Sequence, residues 1–371
     1  MRVRAAVLEA VGGPLHIEEL ELAAPGPGEV RIRLHASGVC HSDYNAVDGT
    51  AATRCPAVLG HEGAGVVEAV GEGAGLAEGA RVMLSWVPAC GHCDECVRDL
   101  QHLCSSAWSD MGHGGLLDGT PRLSRDGEPV YHYSFLSTFA ERTVVPAACC
   151  IPIPDGVPFD VAALAGCAVA TGTGAVWRTA GVRPGDRVAV LGCGGVGMSA
   201  VLGAIAAGAD PVVAIDVSAD KLAAAEELGA THAVAWAGDA ERTAERVLEV
   251  SGGGVDYAIE ATGRPEAALA AFLSTRARGA AVLIGIPRAD ATITLPALPI
   301  PRLERRILGS IYGSSRPQRD FPALLELYRR GRLPLDRLVS RRLPLDGVEE
   351  AFGIMRAGEA LRVVLDLEDG R

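Results

Sequence analysis

The chain has 371 residues, of which 49% are hydrophobic and 22% charged, with a formal net charge of −12. That length exceeds one small core and points to two domains or one large one, and the composition excludes disorder. The acidic balance argues against nucleic acid as a partner, and the N-terminal Met-Arg-Val-Arg-Ala-Ala-Val-Leu-Glu lacks the apolar run of a secretory signal.

Residues 1–150 read as β-rich, with alternating runs at 29–35 and 65–71 and dense glycine and proline punctuation. Between 105 and 135 the chain is polar and glycine-rich with little periodicity, which predicts a long irregular loop. From about Phe159 the texture changes. Short buried strands at 188–191, 211–215, 255–259 and 280–284 alternate with helical segments that include 221–228 and 265–273. Strand–helix alternation predicts a parallel sheet covered by helices on both faces. The stretch 188–209 is apolar enough to mimic a membrane helix, but Gly192, Gly194, Gly195 and Gly197 break it into strand, turn and helix. Residues 291–295 read as an edge strand able to pair across a two-fold axis, and 324–330 and 348–355 as helices. The basic clusters Arg302, Arg305, Arg306 and Arg329, Arg330, Arg332 read as solvated helix faces. The expected setting is cytoplasmic, with no membrane partner. In a reducing compartment, ten cysteines favour metal binding or catalysis over disulfides.

Gly192-Cys-Gly-Gly-Val-Gly197 fits G-x-G-x-x-G, follows a predicted strand and opens an apolar helix. Gly192, Gly194, Gly195, Val196 and Gly197 would bring backbone against a pyrophosphate at the helix N-terminus. Asp216 lies 19 residues beyond Gly197 at the end of the next strand, placed to bind ribose hydroxyls and to repel a 2′-phosphate, so NAD is favoured over NADP. Lys221 could reach the same ribose.

Cys90, Cys93, Cys96 and Cys104, spaced +3, +3 and +8, can wrap one Zn²⁺ in a closed structural site; an iron–sulfur cluster is the rival. A second set is dispersed: Cys40, His61 and Cys167. Two thiolates and an imidazole would leave a fourth position open, the catalytic arrangement. Spacing alone does not separate this from an inert buried cysteine at 167.

Taken together, Gly38-Val-Cys-His-Ser-Asp43, Gly60-His-Glu-Gly-Ala-Gly65, the four-cysteine loop, Gly166-Cys-Ala-Val-Ala-Thr-Gly172, the glycine loop and Asp216 resemble the zinc-dependent medium-chain alcohol dehydrogenases. The stretches around Asp118 and 137–141 resemble the longer-loop members, similar to class III or formaldehyde dehydrogenase-like enzymes that use a thiol adduct. The resemblance implies α/β plus β architecture: a GroES-like β-barrel catalytic domain at 1–168 and 312–371, with the structural zinc lobe at 90–104, and a Rossmann NAD-binding domain at 169–311. It implies two zinc ions per chain: a catalytic one on Cys40, His61 and Cys167, and a structural one on Cys90, Cys93, Cys96 and Cys104. Glu62 is then the carboxylate near the metal, and Asp43 the acid that orients His61.

By the same resemblance, Ser42 bonds the substrate oxygen and passes its proton on. Asn45 stands where family members carry the relay histidine, and His41 where many carry a phosphate-contacting arginine. Arg362 matches an arginine that contacts the pyrophosphate, Thr171 a residue beside the nicotinamide, and Trp86 a side chain of the substrate channel. The reading is an NAD-dependent oxidoreductase acting on a primary, benzylic or thiol-adduct alcohol or its aldehyde, most simply a homodimer, with a tetramer as the variant. Two alternatives stand beside it: a nicotinoprotein of the same fold that keeps NAD bound and reduces another acceptor, and a non-catalytic NAD- or zinc-binding protein.

Overall fold

The strand Glu29–Val39 organises the first half of the chain. Its alternating residues bury Val30, Ile32 and Leu34. In a computed structural model, which describes residues 1–368, this strand pairs with Glu62–Val70, Arg142–Pro146 and Arg362–Asp366. The sheet runs in the order Cys150–Pro152, Arg81–Leu84, Glu62–Val70, Glu29–Val39, Arg362–Asp366, Val339–Pro344. Beside it Arg2–Leu8, Leu15–Leu22, Leu123–Arg125, Glu128–His132 and Ala57–Val58 close into a small barrel. The two belong to one compact unit, formed by Met1–Cys167, Arg316–Gly331 and the chain from Leu335 on.

Register places chemistry at one end of the central strand. Gly38 pairs with Glu62 and Val39 with Val363. Cys40, Glu62 and Arg362 are thereby delivered to the same edge of the sheet, each at or next to the end of its strand.

The second unit, Ala168–Ser315 with Arg332–Pro334, holds six parallel strands in the order His232–Ala235, Val212–Asp216, Val188–Leu191, Val255–Glu260, Thr275–Leu283, Arg306–Gly309. In chain order this is 3-2-1-4-5-6, the doubly wound arrangement with its switch point between the first and fourth strands. Leu191, Val213, Ile215, Ala258, Ala270, Phe272 and Ala281 are among its buried core residues.

Several expectations are corrected. Residues 105–135 are not one irregular loop, since Leu123–Arg125 and Glu128–His132 pair as a hairpin across Asp126-Gly127, both with positive φ. Asp-Gly between short strands is a strong hairpin signal, masked here by the surrounding glycines. Residues 291–295 form no strand and are largely exposed; the edge of the sheet is Arg306–Gly309. Proline at 287, 296 and 299 flanks that segment, and proline cannot donate to a ladder. Residues 188–209 do split into strand, glycine turn and helix, while the run Phe159–Ala180, not singled out in the sequence, is long and apolar enough to cross a membrane, with 83% of its apolar window buried inside the protein, as in a core helix. Arg305 and Arg306 do not share a helix face with Arg302, because the helix stops at Leu303.

Candidate metal centres and cofactor loop

The short helix His41–Val47 begins directly after Cys40, and its first turn carries the acid that fixes the site. Asp43 is fully buried. Its Oδ2 accepts the backbone N–H of Cys40 at 3.0 Å, closing a capping box, while Oδ1 lies 3.2 Å from the N–H of Gly60 and 2.7 Å from His61 Nδ1. One carboxylate thus ties the Cys40 and His61 segments together. It holds the His61 ring with Nδ1 toward itself, leaving Nε2 for a metal. Burial drives the Asp43 carboxyl above its ordinary range, although the His61 charge opposes this. Burial would lower His61, yet Asp43 and the Cys40 sulfur outweigh it and hold the imidazole well above its usual value.

Cys167 arrives from elsewhere in the sequence, on a π-helical stretch, Ala165–Val169, within the long helical run. A π-helical segment of this kind frequently marks functional positions. Ligand atoms of Cys40, His61, Glu62 and Cys167 all lie within 4.8 Å of one another, and all four residues are buried. A hydrogen bond from the Cys167 thiol is the main cause that pulls Cys40 well below the ordinary thiol range; the same contact, with burial, pushes Cys167 well above it. Two sulfurs and an imidazole converging beside a carboxylate fit zinc. Glu62 is pushed up to about 7 by burial, against the pull of Arg362. Its carboxylate forms an ion pair with Arg362, and both side chains are buried. Arg362 is therefore built into the rim of this centre.

Ser42 places its hydroxyl 3.8 Å from the Cys40 sulfur, and its carbonyl accepts the Tyr133 hydroxyl at 2.8 Å. Tyr133 stands edge-on to His61, with ring centroids 5.8 Å apart. Sequence reading missed Tyr133; the signal was the string of non-glycine positive-φ residues Ser134, Phe135 and Ser137 behind it, which no pattern in the sequence reveals. Trp86 is buried and meets Trp108 edge-to-face at 5.8 Å. His41 is exposed at the first helical position, and Asn45 lies in the same helix.

The four-cysteine lobe has a different build. Cys90 and Cys96 sulfurs are 4.0 Å apart and Cys93 and Cys104 sulfurs 3.9 Å. A tetrahedron with zinc–sulfur arms of about 2.3 Å has edges of about 3.8 Å. A disulfide would bring the sulfurs to about 2.05 Å. The donor set fits one zinc, with the four sulfurs within 4.8 Å of one another. Backbone N–H groups of His92 and Cys93 stabilise the Cys90 thiolate and lower its pKa to about 5, whereas burial pushes Cys96 up to about 12.

In the second unit, the strand Val188–Leu191 runs into the glycine loop, and the helix Gly195–Ala206 follows. Gly192 has φ +93°, and a Cβ at Gly197 would overlap the Gly192 carbonyl oxygen, so both positions require glycine. A Cβ at Gly194 would meet nothing, which leaves that face of the loop open for a ligand. Asp216 ends its strand with Oδ2 accepting Cys193 N–H at 2.7 Å and Oδ1 accepting Ser218 N–H at 2.9 Å. Lys221 lies in the first turn of the helix Ala219–Glu227, and Thr171 in the helix Ala170–Gly174. Loop, helix start and carboxylate fit a dinucleotide.

Comparison with known proteins agrees with this geometry. Residues 26–155 match the alcohol dehydrogenase GroES-like domain and 195–330 the zinc-binding dehydrogenase domain. An alcohol dehydrogenase zinc-binding domain protein from Burkholderia ambifaria is 36% identical, with 99% of each chain covered and a TM-score of 0.94. A benzyl alcohol dehydrogenase from Acinetobacter calcoaceticus is 29% identical over 99% of each chain, with a TM-score of 0.93. A zinc-binding dehydrogenase from Sinorhizobium meliloti bound to NADP is 26% identical over 99% of each chain, with a TM-score of 0.79. The chain belongs to the zinc-binding medium-chain alcohol dehydrogenase family: an oxidoreductase with a GroES-like domain, a Rossmann domain and an NAD(P) cofactor.

Proposed function

We propose that this enzyme oxidises primary alcohols, benzylic ones foremost, with NAD, and that each chain holds one catalytic and one structural zinc. The observation that carries the reading is the convergence of Cys40, His61 and Cys167 around a position that Asp43 organises. When bound there, zinc supplies the Lewis acidity that makes a substrate hydroxyl acidic, and NAD supplies the hydride acceptor.

The chain's own residues do the rest. Asp43 fixes the His61 tautomer. The Ser42 hydroxyl, beside Cys40, receives the substrate proton. Asn45 is an amide with no group that titrates near neutral pH, so the proton leaves Ser42 to solvent rather than to a side chain. Glu62 and Arg362 set a paired, buried charge beside the cluster. Trp86, Trp108 and Tyr133 are aromatic surfaces suited to an aromatic alcohol, and the likeness to a benzyl alcohol dehydrogenase supports the same substrate class.

The experiment is metal analysis together with NADH formation on a panel of aliphatic, benzylic and thiol-adduct alcohols. Two zincs per chain and the highest kcat/KM on benzylic alcohols are expected. One zinc and no turnover would sink the catalytic assignment; a preference for thiol adducts would replace the substrate class. Asp216→Ala should cost NAD at least tenfold in KM and leave NADP little changed, and an unaltered cofactor ratio would remove Asp216 from the ribose.

A further inference from the structure

The second unit carries a cleft of about 640 Å³ at the end of its sheet opposite the glycine loop. Asp256, Arg276, Arg278, Glu304, Arg305 and Arg306 line it. All the strands are parallel, so their amino ends share one side. Asp256 is near the start of Val255–Glu260, the arginines at 276 and 278 near the start of Thr275–Leu283, and Arg306 opens the edge strand. Gly192 and Asp216 stand at the carboxyl ends.

A break in register builds the cleft. Val255 pairs with Thr275, but Tyr257 pairs with Ala280, so residues 276–279 bulge out of the ladder. Ala280 pairs with Arg306, which brings the turn at Glu304 beside that bulge. Arg278 and Glu304 both hold left-handed backbone, with φ +63° and +51°, and their side chains ion-pair at 3.2 Å. Left-handed backbone is costly for residues other than glycine and persists where the surroundings impose it, often at ligand clamps.

The charges in the cleft do not balance. Asp256 answers Arg276, with Oδ1 2.7 Å from Nε, and Glu304 answers Arg278. Among the described residues, Arg306 is seen to donate to the Arg278 carbonyl, at 3.1 Å. Arg305 donates one long bond, 3.5 Å, to the Phe272 carbonyl and lies over the Phe272 ring, 5.6 Å from its centroid. Its Nε is buried with no hydrogen-bond partner among the described residues. Burial lowers the Arg305 pKa, and no ion pair with either arginine occurs among the described residues. A half-buried guanidinium without an anion is an uncompensated charge. Arg305 and Arg306 both line the cleft, and guanidinium groups are the side chains best matched to the oxygens of a phosphate.

We propose that this cleft is an anion site, taking a phosphate or phosphoryl group between Arg305 and Arg306 with Arg278 at its rim. The site is separate from the cofactor loop, at the other end of the same sheet, and requires no change in the chemistry at Cys40 and Cys167.

The test is isothermal titration of the purified full-length enzyme saturated with NAD, which occupies the cofactor loop. Orthophosphate and adenosine triphosphate are titrated separately. One saturable site per chain is expected with both, weakening as salt rises. Tighter binding of the triphosphate identifies a phosphorylated metabolite as the ligand, and equal binding identifies free phosphate. Arg305→Gln should weaken binding at least tenfold while turnover measured without phosphate is unchanged. Arg305→Lys, which keeps the charge but loses the fork, should fall between, and provides the comparison if the glutamine variant folds poorly. Absence of a saturable site for both probes, or equal affinity in the wild type and both variants, overturns the proposal.

Discussion

The two candidate metal centres of the first unit assemble their donor sets by opposite routes. The four-cysteine lobe is contiguous in sequence, and Cys90 and Cys93 remain partly exposed. Backbone N–H groups stabilise the Cys90 sulfur, whereas burial dominates at Cys96. The other centre gathers ligands from Cys40 to Cys167, buries all of them, and tunes them with the charged side chains Asp43, Glu62 and Arg362. A closed site needs only sulfur and a loop. An open site that must hold its geometry with one position free needs ligands fixed from behind, and that requires buried polar groups supplied by a whole sheet.

The largest effect that separates the two is expected from Cys40→Ser. Turnover should vanish and metal analysis should find one zinc per chain; loss of both ions would show that the centres are coupled. Next comes Cys104→Ser, which should empty the lobe alone. With free zinc about 1,000-fold above its Kd, that loss removes about 4 kcal/mol of stability, read as a fall in Tm with the remaining zinc still bound. Should activity vanish at an unchanged Tm, the lobe would not be structural.

Asp43→Asn is expected to weaken zinc at the open site by about 10–100-fold in chelator competition and to leave the lobe untouched. An equal loss at both centres would count against the support role of Asp43. The smallest effect is a proton count. The Cys90 thiolate, favoured down to about 5, is already formed at pH 7, whereas Cys96, pushed up to about 12, is not. Loading the lobe at pH 7 should therefore release fewer than four protons, measured by titration calorimetry in buffers of different ionisation enthalpy. Protons compete with zinc for every sulfur that is not yet a thiolate, so the lobe should bind zinc more weakly as pH falls. Release of four protons would contradict the thiolate at Cys90.

The same contrast explains what could be read without a structure. The lobe was legible because its ligands are neighbours, and the glycine loop because strand, turn and helix lie in one short stretch. The strands at 188–191 and 255–259 fall where periodicity put them. Cys40, His61 and Cys167 were legible only through family resemblance, since the π-helical winding at Cys167 and the strand register that aligns Gly38 with Glu62 leave no mark in composition. Arg362 was read as a cofactor contact, yet its burial against Glu62 depends on two strands far apart in sequence. The bulge at 276–279 was invisible for a related reason: register breaks belong to pairs of strands, and a single sequence shows strands one at a time.

The alignment of Val39 with Val363 and of Gly38 with Glu62 has a further consequence for how the chain matures. A slip of one residue in either ladder turns every side chain of that strand to the opposite face. Glu62 would then lose Arg362, and His61 would no longer meet Cys40. A chain mispaired in either ladder would not bring these side chains together, so the cluster of Cys40, His61, Glu62 and Cys167 is itself a signature of correct strand pairing.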